Sequence, residues 1–150
     1  MVLEMLLRHK VSFSYGHRLV HHEGKCKNLH GHNAEMEVWI EGGPSVKTGM
    51  IEDFGTIKRE IDEYVGQYYD HAFMVNSEDV QVLELLRSQG WRHLVFKNEE
   101  PTIENMAARL FYRDLHRAWE AKGFASIVKL VLWETPKNGV EVSDESGVAI

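Results

Sequence analysis

The chain has 150 residues, 43% of them hydrophobic, and a formal net charge of -6 from 23 acidic and 17 basic side chains. That length suits a single domain over residues 1–150, and the acidic balance excludes bulk nucleic-acid binding while leaving room for a small anionic substrate in a local basic pocket. One cysteine excludes an internal disulfide framework; with no signal-peptide pattern and no apolar run of membrane-spanning length, the expected location is cytoplasmic, with no membrane partner.

In chain order, Leu3 to about Tyr15 is rich in apolar and β-tolerant residues and reads as a strand, followed by a loop marked by Glu23-Gly24-Lys25. Asn33-Ala34-Glu35-Met36-Glu37-Val38-Trp39-Ile40 alternates polar and apolar, the pattern of a half-buried strand, and Gly42-Gly43-Pro44 closes it. Asp53 is placed to cap a helix running to about Tyr68, with Ile57, Ile61, Tyr64 and Tyr68 as its apolar face. Phe73-Met74-Val75-Asn76 reads as loop. A shorter helix from about Asp79 to Gln89 stops at Gly90, and Arg92 to Lys97 reads as a strand. Thr102 caps a long amphipathic helix that Gly123 ends. Ile127 to Trp133 is the last strong strand, with a short one at Val140-Glu141-Val142. This order predicts an α+β domain with helices on one sheet face.

The densest chemistry lies in Cys26-Lys27-Asn28-Leu29-His30-Gly31-His32. On an extended strand, side chains alternate, so His30 and His32 share a face with Cβ atoms roughly 6–7 Å apart. A hairpin with the preceding strand brings His17 onto the same site. Three imidazoles with an open fourth position make a catalytic zinc centre, with Cys26 beside the metal as nucleophile or base. The plain alternative is an incidental HxH pair without a metal.

Six motifs in order resemble the 6-pyruvoyltetrahydropterin synthase and 6-carboxytetrahydropterin synthase family over nearly the whole chain. They are Gly16-His17-Arg18-Leu19, Cys26 to His32, Thr48-Gly49-Met50-Ile51-Glu52-Asp53-Phe54, Asp70-His71, Pro101-Thr102 with Glu104, and Trp133-Glu134-Thr135. The resemblance implies a tunnelling fold: an antiparallel sheet backed by two main helices. Its trimers close into a β-barrel and pair as a hexamer, with active sites at subunit interfaces. It implies Zn2+ on His17, His30 and His32, and Cys26, Asp70 and His71 as catalytic groups. Glu134 falls on the pterin anchor, where a carboxylate accepts two parallel N–H groups; Thr102 and Glu104 resemble positions lining the same pocket. Asp53 falls on a structural helix-start position. His21 and His22 fall off the motif and are expected at the surface, while His9, His93 and His116 match nothing.

The implied substrate is 7,8-dihydroneopterin triphosphate. Three residues separate Cys26 from His30, as in the branch forming 6-carboxytetrahydropterin, acetaldehyde and triphosphate for 7-deazapurine and queuosine synthesis. The pyruvoyl-forming branch has a longer connection and is the alternative reaction. Two other readings remain: a non-catalytic zinc module with Cys26 as a fourth ligand, and a tunnelling-fold aldolase or epimerase.

Overall fold

The computed structural model describes residues 3–116, 119 and 121–144. The first two strands, β1 (Met5–His17) and β2 (His30–Gly42), form a long antiparallel hairpin in which Met5 faces Gly42 and His17 faces His30. Alternation decides what this hairpin buries. Phe13, Tyr15 and His17 of β1 and Ala34, Met36, Val38 and Ile40 of β2 are buried on one face, while the residues between them are more exposed. β1 runs two residues further than its apolar pattern predicts, which places His17 within the strand.

Asp53 caps the first helix as expected, its Oδ1 accepting from Gly55 N at 2.6 Å. The helix starts as α1 (Phe54–Ile57), widens through a π-helical turn over Lys58–Asp62 and continues as α2 (Glu63–Tyr68). That wider turn changes the predicted apolar face. Ile57, Ile61, Val65 and Tyr69 are buried and Tyr64 packs partly buried against the core as expected, whereas Tyr68 is exposed.

Ala72–Asn76 is strand β3 and not the expected loop. It pairs parallel to β1 (Tyr15 with Ala72, His17 with Met74), and β4 (His93–Phe96) pairs parallel to it in turn. Helix α3 (Val80–Gln89) has Asp79 as N-cap and ends at Gly90 with φ 65°, a left-handed conformation that glycine adopts without a Cβ penalty. Helix α4 (Ile103–Arg109), capped by Thr102, runs into a π-helical segment over Leu110–Leu115. Gly123, the predicted stop, has φ 74°; residues 117, 118 and 120 of the predicted helix lie outside the described residues. The last strands, β5 (Ser126–Trp133) and β6 (Gly139–Ser143), form a second antiparallel hairpin.

The sheet order is β4-β3-β1-β2-β5-β6. Its antiparallel centre and the two helices over one face agree with the α+β tunnelling architecture, and the parallel β3–β4 edge adds to it. The main core joins Met36, Val38 and Ile40 to Ile57, Ile61, Met106, Leu110 and Phe111. Helix α3 makes a separate cluster with Val75, using the side chains of β3 that alternate with those in the main core.

Candidate active site

The three histidines converge because of strand register. His17 lies directly opposite His30, and Tyr15 opposite His32, so all three imidazoles project from the same face at one end of the hairpin. Their ligand-capable nitrogens all lie within 4.8 Å of one another. Ring centroids are 4.6 Å apart for His17 and His30, 5.1 Å for His17 and His32, and 5.0 Å for His30 and His32.

Backbone carbonyls orient two of the rings. His17 Nδ1 is 2.8 Å from the carbonyl oxygen of Pro101, and His30 Nδ1 is 2.7 Å from that of Asn28. A carbonyl only accepts, so each Nδ1 carries the proton and each Nε2 presents its lone pair, the arrangement found around metal-ligating histidines. Burial lowers the pKa of His17 below its ordinary 6.5, with the neighbouring imidazoles adding to the effect against Pro101 and Glu134; burial also lowers His32. Neutral, oriented rings are what a metal requires. The donor set fits zinc: three imidazole nitrogens with one position left open.

Glu134, immediately after β5, reaches this cluster. Its Oε1 lies 3.5 Å from His32 Nε2 and 3.7 Å from His17 Nε2, and accepts a hydrogen bond from the Tyr15 hydroxyl at 2.9 Å. Burial first, then the Glu134 charge, pushes the Tyr15 phenol well above its ordinary pKa, so the hydroxyl stays a donor. Neither Tyr15 nor the Pro101 carbonyl was among the residues predicted from sequence. Alternation alone could have flagged Tyr15, which sits two residues before His17 on the same strand face.

Cys26 lies in a short 3-10 turn, Lys25–Lys27, and is half-buried. It is not a member of the histidine cluster. Its carbonyl accepts from Leu19 N at 2.9 Å, which pins the turn back toward β1. The loop leaving His17 is anchored by charges the sequence reading did not assign. Arg18 Nε and Nη2 each donate at 2.6 Å to the two oxygens of buried Asp79, and His21 N donates to Glu100 Oε2 at 3.2 Å. His21 and His22 are exposed, as predicted.

Asp70 and His71 form a pair, but elsewhere on the chain. Asp70 Oδ1 accepts from Ser14 N at 2.8 Å, while Oδ2 is 2.9 Å from His71 Nδ1. The Ser14 N–H, then His71, hold the Asp70 carboxyl below its ordinary range against the opposing effect of burial. His71 has φ 58°, an uncommon conformation for a residue with a side chain, and its imidazole is 79% exposed. It borders a cleft of about 440 Å³ lined by Ser14, Gly16, Phe73, Trp91 and Arg92. Ser14 and Gly16 alternate with Tyr15 and His17. Among the described residues, no hydrogen bond, ion pair or ring contact joins His71 to the histidine cluster. Thr102 Oγ1 accepts from Asn105 N at 3.2 Å as a helix cap next to Pro101, and Glu104 is exposed on the first turn of α4.

The sequence profile of the family described as 6-pyruvoyl tetrahydropterin synthase matches residues 6–145. The chain belongs to this family. Among its relatives, the 6-carboxy-5,6,7,8-tetrahydropterin synthase of Rickettsia conorii is 29% identical, covering 89% of this chain and 96% of the relative. The enzyme of the same name from Haemophilus influenzae is 31% identical over 89% of this chain and 94% of its own length. Among solved structures, an uncharacterized protein from Wolinella succinogenes superposes with a TM-score of 0.73 at 20% identity, covering 95% of this chain and 99% of that one. The 6-pyruvoyl tetrahydropterin synthase of Caenorhabditis elegans gives 0.70 at 24% identity, over 95% and 97% of the two chains. These likenesses agree on the fold. In the described residues, no helix is long and apolar enough to cross a membrane.

Proposed function

We propose that the chain is a zinc-dependent 6-carboxy-5,6,7,8-tetrahydropterin synthase, a lyase acting in 7-deazapurine (queuosine) synthesis. Its substrate is 7,8-dihydroneopterin triphosphate; with uptake of water, the products are 6-carboxytetrahydropterin, acetaldehyde and triphosphate. The observation that carries this reading is the oriented cluster of His17, His30 and His32 with the Glu134 carboxylate beside it, in a chain whose curated relatives bear that name. His17, His30 and His32 would hold zinc, which would supply Lewis-acid polarisation of the substrate's side-chain hydroxyls.

The protein groups divide the remaining work. Glu134 accepts the paired N–H donors of the pterin ring and fixes its orientation. Thr102 and Glu104 line the approach. The Cys26 thiolate takes a proton from the substrate side chain, and His71, oriented by Asp70, exchanges protons with the same carbons. Elimination then expels triphosphate, and carbon–carbon cleavage releases acetaldehyde.

The separation of His71 from the cluster supports assembly of the site from more than one subunit. An imidazole that is 79% exposed on one subunit is available to the histidine cluster of its neighbour. The proposed assembly is a hexamer, a dimer of trimers, in which neighbouring chains cover the free edges of β4 and β6. A cytoplasmic location accords with the single cysteine being a working thiol.

Two observations weigh against the other readings. Cys26 standing outside the histidine cluster disfavours a closed zinc module with four protein ligands, and the match to a synthase family disfavours an aldolase or epimerase. Triphosphate release from 7,8-dihydroneopterin triphosphate, compared between zinc-reconstituted and chelator-stripped protein, tests the proposal. Activity is expected only with metal; a fully metal-loaded protein that leaves the substrate intact refutes it.

A further inference from the structure

His71 carries its imidazole on an unfavourable backbone. Its φ of 58° lies in the left-handed region, where a Cβ crowds the following carbonyl oxygen and glycine or asparagine is the usual choice. The residue sits in a tight turn between α2 and β3, closed by Ala72 N donating to Tyr69 O at 3.2 Å. Strain of this kind persists only where the surrounding structure imposes it, and such positions cluster at functional sites. A glycine would make the turn more easily, but it would bring no imidazole to the cleft.

Both ends of the Asp70–His71 peptide are held. Its N–H, on His71, donates to Ser14 O at 2.7 Å. Its carbonyl, Asp70 O, accepts from Arg92 Nη1 at 2.9 Å, and the same nitrogen donates to Gly66 O of α2 at 2.8 Å. Arg92 also grips the far side of the turn, because its own carbonyl accepts from Phe73 N at 3.0 Å at the start of β3. One arginine therefore brackets residues 70–73. The guanidinium suits this task, since its Nη1 carries two N–H groups and stays charged throughout the working pH range. Ser14 N adds a hold on the Asp70 carboxylate at 2.8 Å, and Asp70 Oδ2 meets His71 Nδ1 at 2.9 Å. The His71 ring is exposed, so packing does little to aim it. The clamped peptide and the Asp70 carboxylate set its direction instead.

We propose that Arg92 is a positioning residue: by clamping the Asp70–His71 peptide it holds His71 in the left-handed conformation that presents its imidazole, backed by Asp70, for proton transfer. The clamp stands on geometry alone; its part in turnover rests on the function proposed above.

The test compares full-length wild type, Arg92→Ala and Arg92→Lys by amide hydrogen exchange resolved to single residues and by steady-state kinetics with 7,8-dihydroneopterin triphosphate. Arg92 is exposed, so both variants are expected to fold. In Arg92→Ala the His71 N–H should exchange about tenfold faster, while the amides of β2 keep their protection. Its kcat should fall by about tenfold, the scale of one charge-assisted hydrogen bond, with KM unchanged because Glu134 is untouched. Arg92→Lys, whose ammonium can still donate to carbonyls, should fall between the two in both readouts. Faster exchange confined to Tyr69 and Asp70, with the His71 N–H still protected, shows only a cap on α2 and overturns the proposal. A His71 N–H that opens while kcat stays at the wild-type value also overturns it. If wild-type protein does not turn over the pterin, the functional reading fails, and exchange at His71 still decides whether Arg92 is the clamp.

Discussion

Removing Asp79 by Asp79→Ala probes how the loop carrying Cys26 is held. Asp79 is 3% exposed, receives two N–H groups of Arg18 at 2.6 Å, and caps α3 through Val82 N at 3.4 Å. Breaking a buried pair by deleting one partner costs about 3–5 kcal/mol. The lower end applies, because the Arg18 side chain is 19% exposed and the orphaned guanidinium can partly rehydrate. Loss of the cap falls within the same deletion, so the expected destabilisation is about 3 kcal/mol. At roughly 2–3 kcal/mol per molar urea, the unfolding midpoint should fall by about 1–1.5 M at matched protein concentration. The pH dependence follows from Arg18, whose hydrogen bonds hold the Asp79 carboxyl below its ordinary value of 3.8. As acid is added, the unfolded carboxyl takes up its proton before the native one does. The pair's contribution is therefore complete above about pH 4 and is lost as pH falls through the depressed native value. The gap between wild type and Asp79→Ala should be constant near neutrality and close in strong acid. A neutral-pH difference under about 0.5 kcal/mol, the range of ordinary surface substitutions, refutes the reasoning.

Two further outcomes follow from the site. His17→Ala, His30→Ala and His32→Ala are each expected to lose stoichiometric zinc and turnover while staying folded; full occupancy by elemental analysis in all three removes the metal assignment. Cys26→Ala is expected to keep zinc and lose turnover. His71→Ala should fall by a similar factor, and the double variant should be little worse than either single because the two groups act on the same protons; wild-type rates in Cys26→Ala overturn the thiol's role.

Local chemistry was legible in the sequence. Strand alternation around His30 and His32 set the facing of the histidine cluster, and Asp53, Asp79 and Thr102 each stand at a helix start, as side chains suited to capping do. Strand β3 escaped because Ala72–Asn76 is a short, mostly buried run without alternation, a pattern that does not distinguish a strand from other buried chain. The predicted apolar face of α1–α2 holds at Ile57, Ile61 and Tyr64, which packs against the core, and fails at Tyr68, which is exposed, because a π-helical turn leaves no mark in apolar spacing. The contacts that orient the site are long-range. Arg18 with Asp79, His17 with the Pro101 carbonyl and Tyr15 with Glu134 join positions 61, 84 and 119 residues apart, and only the folded sheet brings them together.

The most direct measurement is the product profile of zinc-loaded protein given 7,8-dihydroneopterin triphosphate, read by mass spectrometry with acetaldehyde trapped as it forms. 6-Carboxytetrahydropterin and acetaldehyde are the expected main products; chiefly 6-pyruvoyltetrahydropterin, with no acetaldehyde trapped, contradicts the proposed function.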